Sequence, residues 1–195
     1  NKLYEYGTGI PAILTILFGA AYGSVNTFVA MMANEAGIEN AGLFFIVGTV
    51  FVFISRPFGG RIFDSKGGFW VILPGGILYL AGLCILISSG SLMMLLTASV
   101  FYGLGGGLLL PSLMTWMLNV VAPDRRSGAS ATFYNMLDIG TSSGIILLGS
   151  LAGSIGYIRM YYYVVGVMVL FIAFFLLNHF VLQRKKVKKE EQLLA

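Results

Sequence analysis

Asp138 is the residue best placed to do chemistry, because it stands inside a long apolar stretch. A helix entering the membrane at Ser127 carries it roughly 16 Å inward, near the middle of a hydrocarbon core about 30 Å thick. An aspartate at that depth costs at least about 2.5–3.5 kcal/mol on insertion scales. Loss of hydration disfavours a charged carboxylate, which makes proton uptake and release available chemistry there. Tyr134, Thr141 and Ser142 fall on the same helix face, so that face is polar. Two uses fit: a protonatable or cation-binding site on a transport path, or a structural carboxyl tied up by hydrogen bonds. Gly140 and Gly144 point roughly the other way and permit close packing of a neighbouring helix.

Two further stretches carry polar side chains at membrane depth. In the first apolar stretch, Thr15, Gly19, Tyr22, Gly23 and Asn26 share one helical face. Such a stripe either lines a cavity or packs a helix. In the fourth, Tyr102 lies roughly 15 Å from the outer end, at about the depth of Asp138. Gly103, Gly105, Gly106, Gly107 and Pro111 follow it, giving either a hinge or close backbone packing. The glycine spacing fails a nucleotide-loop pattern at Leu108, and no strand precedes it. Tyr22, Asn26, Tyr102, Tyr134 and Asn135 are therefore the candidate substrate-lining residues.

Gly140-Thr141-Ser142-Ser143-Gly144 matches the GxSxG pattern of a nucleophile elbow, and His179 is the one histidine. The elbow needs a preceding strand, which is missing from this pattern. Ser142 and His179 also differ by roughly 20 Å in depth, far beyond the reach of a dyad. Catalysis is not expected, and His179 reads as an interfacial residue.

The elements that must carry these residues follow from composition. In 195 residues, 57% are apolar and only 10% charged. The mean hydropathy is +0.88. So few charges cannot cover a water-facing surface, which excludes a soluble enzyme and a disordered chain. The pattern predicts an all-α membrane protein of six spans: Ile10–Ala33, Ala41–Phe58, Phe69–Ser88, Leu92–Leu118, Ser127–Ala152 and Tyr157–Leu182. Residues 1–182 form the membrane domain, and residues 183–195 a basic tail at the headgroups.

Charge sets the orientation. Lys2, Arg56, Arg61, Lys66, Arg125, Arg126 and five tail residues fall on one side, and Arg159 alone on the other. The positive-inside bias puts both termini in the cytoplasm of an integral protein of the cell membrane. No basic face is built for nucleic acid. Cys84 is the only cysteine, so no disulfide or thiol-metal cluster is expected. Polar residues gather on the first, fourth and fifth spans, which are expected to surround a polar space. The third and sixth support from outside, giving two groups of three as inverted repeats would.

The second connection reads Arg56-Pro57-x-x-Gly60-Arg61-x-x-Asp64-x-x-Gly67. Its glycines allow a reversal between helices, and Arg61 and Asp64 could pair with each other or hold neighbouring helix ends. This stretch resembles the cytoplasmic loop signature of the major facilitator superfamily. Gly103-x-Gly105-x-Gly107-x-x-x-Pro111 looks like the same family, as does Pro123-Asp124-Arg125-Arg126-Ser127-Gly128-Ala129 running into Asp138-x-Gly140. Phe101 and Tyr102 stand where a first-half fourth helix carries arginine, and a charged tail follows the sixth span. The chain is thus similar to a C-terminal half, most like the drug and metabolite efflux branch. Ser65 departs from the loop signature, which has a basic residue there; Lys66 follows it.

The resemblance implies a six-helix half of a twelve-helix carrier, an antiporter working by proton-coupled alternating access; the alternatives are an uptake carrier of the same fold and a self-associating membrane module that binds without transporting. A proton gradient would drive the antiporter, with no cofactor. Asp138 would couple protons, and Arg56, Gly60, Arg61 and Asp64 would form the gating loop. Its partners would be the lipid bilayer, a small-molecule substrate, and either the N-terminal half or a second copy of itself.

Overall fold

The computed structural model describes the backbone of residues 8–194 and the side chains of residues 8–181. Lys2 and the side chains of the basic tail lie outside that range. Six helices follow in order: α1 (Gly9–Glu35), α2 (Leu43–Lys66), α3 (Phe69–Ile87), α4 (Leu92–Asn119), α5 (Arg126–Ile155) and α6 (Tyr157–Leu194). A single 3-10 turn, Pro123–Arg125, leads into α5. All six are long and apolar enough to cross a membrane. The described backbone contains no strand.

Helix ends are set by local chemistry. The Ser91 side chain accepts a bond from the Met94 N–H at 3.4 Å and starts α4. Gly67 (φ +91°) ends α2, and Gly156 (φ +88°) ends α5, both in backbone regions that suit glycine. The Tyr157 N–H donates to the Glu35 carboxylate at 2.6 Å, so the last residue of α1 caps the start of α6.

Two expected boundaries move. The expected loop from Gly59 to Gly68 is almost wholly helix, with Pro57 inside it. Gly60, Arg61 and Asp64 therefore sit on the final turns of α2, and only Gly67 and Gly68 make the reversal. A proline costs a helix one hydrogen bond, and membrane helices absorb that loss better than soluble ones. At the other end, α6 continues past Leu182, so the tail prolongs the last span rather than leaving it.

Lipid supplies no hydrophobic drive between helices, so close backbone packing must hold them together. Glycines make this possible. A Cβ on Gly19 would stand 2.8 Å from the Leu137 carbonyl oxygen, and one on Gly144 would stand 2.6 Å from the Ala20 Cα. These close contacts join α1 to α5. Gly103 and Gly107 meet α2 in the same way, and Gly105 meets α3 at Tyr79. Close packing is thus the role of Gly103, Gly105 and Gly107 on α4.

Exchanging α1–α3 with α4–α6 maps the α1/α5 packing onto α4/α2, and α6/α1 onto α3/α4. This pseudo-symmetry matches the expected pair of three-helix repeats. Large apolar residues such as Ile77, Leu170 and Leu177 are exposed around the outside, as a lipid-facing surface requires.

Candidate functional site

α1, α2 and α4 enclose a cleft of about 230 Å³. Tyr22 and Asn26 enter from α1, Tyr102 and Gly106 from α4, and Gly48, Thr49 and Arg56 from α2. Counting along the helices, Asn26 lies about 14 Å, Tyr102 about 15 Å and Arg56 about 20 Å from the end of the bundle that carries Glu35. The cleft is therefore at mid-membrane depth.

Its polar groups are bonded into one unit. The Asn26 amide donates to the Tyr102 hydroxyl at 2.9 Å and to the Tyr22 carbonyl at 2.8 Å. The Tyr22 and Tyr102 rings lie nearly parallel, 6.4 Å apart. Behind them Tyr102 packs on Phe44 and Tyr79, at 5.3 and 5.2 Å between ring centres. Ser99 donates to the Phe44 carbonyl, tying α4 to α2 just above. The Arg56 guanidinium lies 5.6 Å from the centre of the Phe53 ring. It makes no ion pair among the described residues.

The structure divides the sequence candidates into three places. Tyr22, Asn26 and Tyr102 come together in the cleft. Tyr134, Asn135 and Asp138 do not join them; they lie exposed along α5, on the face turned away from α1. Asp138 stays off the packed side of α5, because Gly140 and Gly144 turn the opposite face against α1. Gly60, Arg61 and Asp64 are exposed at the end of α2, and Arg61 and Asp64 form no pair with each other.

The stripe on α1 also splits. Tyr22 and Asn26 face the cleft. Thr15 donates to the Pro11 carbonyl at 2.7 Å, while Gly19 and Gly23 pack on α5. Thr141, expected on the polar face of α5, instead donates to the Gly19 carbonyl at 3.3 Å.

The third wall of the cleft is α2, not α5 as expected. Its contribution was hidden because Arg56 seemed to close a span rather than line one. The signal was nonetheless there: Gly48, Val52 and Arg56 recur at four-residue intervals on one face. α3 and α6 do flank the central pair α1 and α4, as expected.

The Major Facilitator Superfamily profile matches residues 12–194. The chain belongs to the Major Facilitator Superfamily. It is an integral membrane protein with that family's helical fold. Among solved structures it is similar to a point mutant of the peptide transporter POT, seen in complex with alafosfalin and in complex with sulfate. Both align with a TM-score of 0.76 at 20% identity over 88% of this chain. The chain spans 38% and 37% of the length of those two transporter chains. No curated protein sequence matches it.

Proposed function

We propose that this chain is one six-helix half of a secondary transporter that exports small molecules in exchange for protons. One observation carries the reading. Asp138, Tyr134 and Asn135 are exposed at membrane depth on a helix that its own bundle covers on one side only. Hydrocarbon is a costly neighbour for that face, whereas a water-lined path against a second six-helix unit is not. The missing cover is the N-terminal half or a second copy, and the length shared with the POT chains supports the first.

Asp138 takes up and releases the coupling proton. Tyr22, Asn26 and Tyr102 hold substrate in the cleft, and Tyr134 and Asn135 line the substrate path beside Asp138 on the outer face of α5. Arg56, a cation within a span, offers the cleft's contact for a carbonyl or anionic group on the substrate. Arg61, Asp64 and Gly60 lie at the basic end of the bundle, where a gate between halves would close. The positive-inside bias makes that end cytoplasmic.

The test is proton-driven flux in vesicles containing the assembled transporter. Asp138→Asn should abolish gradient dependence while substrate still binds. Wild-type gradient dependence in that variant would refute the assignment.

A further inference from the structure

A second and larger cavity, about 490 Å³, opens at the basic end of the bundle, away from the cleft. The α2–α3 turn, the last turns of α4 and the late part of α6 enclose it. Its walls are of two kinds. Phe69, Trp116 and Phe175 make an aromatic floor: Phe69 stacks on Phe175 at 5.8 Å, and Trp116 meets Phe175 edge-on at 5.9 Å. Lys66, Asn178 and His179 supply polar groups, and His179 stacks on Phe69 at 4.2 Å. No carboxylate lines it among the described residues.

The position matters as much as the lining. Lys66 is the last residue of α2, and α3 begins at Phe69, so the cavity sits where helices leave the membrane. Headgroups lie at that level, and tryptophans favour it. Trp70 stands at the rim, 59% exposed. The positive N-terminal end of α3 opens onto the same space. An aromatic floor beneath Lys66 and the N-terminal end of α3, at the level of the headgroups, is complementary to a molecule with an apolar body and a negative head.

We propose that this cavity binds an anionic phospholipid. The phosphate meets Lys66, Asn178 and His179, and the glycerol and first acyl carbons lie on Phe69, Trp116 and Phe175. A bound lipid would clamp the α2–α3 turn to α6. Its binding does not depend on whether the chain moves a substrate.

The chain offers its own reporter, because its only two tryptophans, Trp70 and Trp116, both line this cavity. The chain is reconstituted in phosphatidylcholine vesicles containing a small fraction of lipid brominated on the acyl chain, either phosphatidylglycerol or phosphatidylcholine. Tryptophan quenching at low mole fraction should favour the brominated phosphatidylglycerol about fivefold, the preference expected of one lysine at an anionic headgroup. Combining Lys66→Gln with His179→Gln should remove the preference, and Lys66→Arg should keep it. Replacing Arg184, Lys185, Lys186, Lys188 and Lys189 by glutamine should leave most of it, separating the cavity from general attraction by the tail. Equal quenching by the two lipids would overturn the proposal. So would a preference that survives the double variant but disappears with the tail charges. Loss of the preference on adding inorganic phosphate would make this a site for a free anion and overturn the lipid assignment.

Discussion

The cleft between α1, α2 and α4 and the outer face of α5 lie at similar depth and carry similar side chains, yet they are built differently. In the cleft, Asn26 holds the Tyr102 hydroxyl and the Tyr22 backbone, and the rings of Tyr22 and Tyr102 stack. On α5, the side chains of Tyr134, Asn135 and Asp138 make no hydrogen bond to another described residue and are exposed. The Asn26–Tyr102 unit of the cleft is tied within the bundle and rests on the glycine spine of α4, with Asn26 and Arg56 exposed at its mouth. The α5 face is half of an interface. Polar groups at membrane depth thus have two meanings, internal construction and unfinished interface, and partners rather than residue types tell them apart.

Four substitutions sharpen or break this contrast. Gly105→Val should have the largest effect, because its Cβ would stand 2.5 Å from the Tyr79 backbone nitrogen and 2.8 Å from the Gly75 oxygen. The overpacking should cost about 1–3 kcal/mol or more, read as a lower melting temperature in detergent together with weaker substrate binding. An unchanged melting temperature would mean that the α4 spine does not carry the cleft.

Asp138→Asn should come next. Proton-driven flux should fall about tenfold or more, while stability moves by less than about 0.5 kcal/mol, because the side chain supports nothing within the bundle. A large loss of stability would place Asp138 among the structural groups and erase the contrast.

Tyr102→Phe removes the oxygen that accepts from Asn26. It should destabilise the bundle by about 1 kcal/mol and weaken substrate binding without altering gradient dependence. Flux measured with and without a proton gradient separates those two effects. Ser142→Ala should have the smallest effect, within about 0.5 kcal/mol in stability, with flux unchanged. A strong flux defect would extend the functional face of α5 outward beyond Asp138.

Much of this was readable from residue order. Six apolar runs with short polar joints leave few choices in lipid, where each helix satisfies its own backbone. Gly140 and Gly144 opposite Asp138 already implied which side of α5 would pack. Gly103, Gly105 and Gly107 on α4 were ambiguous, and their close approach to α2 and α3 resolved them as packing residues. The second span extends further than its pattern suggests: proline and paired glycines usually punctuate a helix, and here the helix runs through them to Lys66.

The sequence by itself determined the number of spans, their order, the basic end of the bundle and the depth of each polar residue. Those quantities depend on hydropathy and on a fixed rise per residue. Tertiary structure alone decided which polar residues share a space. Each residue turns the helix by about 100°, so a side chain's direction depends on which neighbour its helix packs against. That choice brought Arg56 of α2 into the cleft with Tyr22, Asn26 and Tyr102, and left Asp138 facing outward.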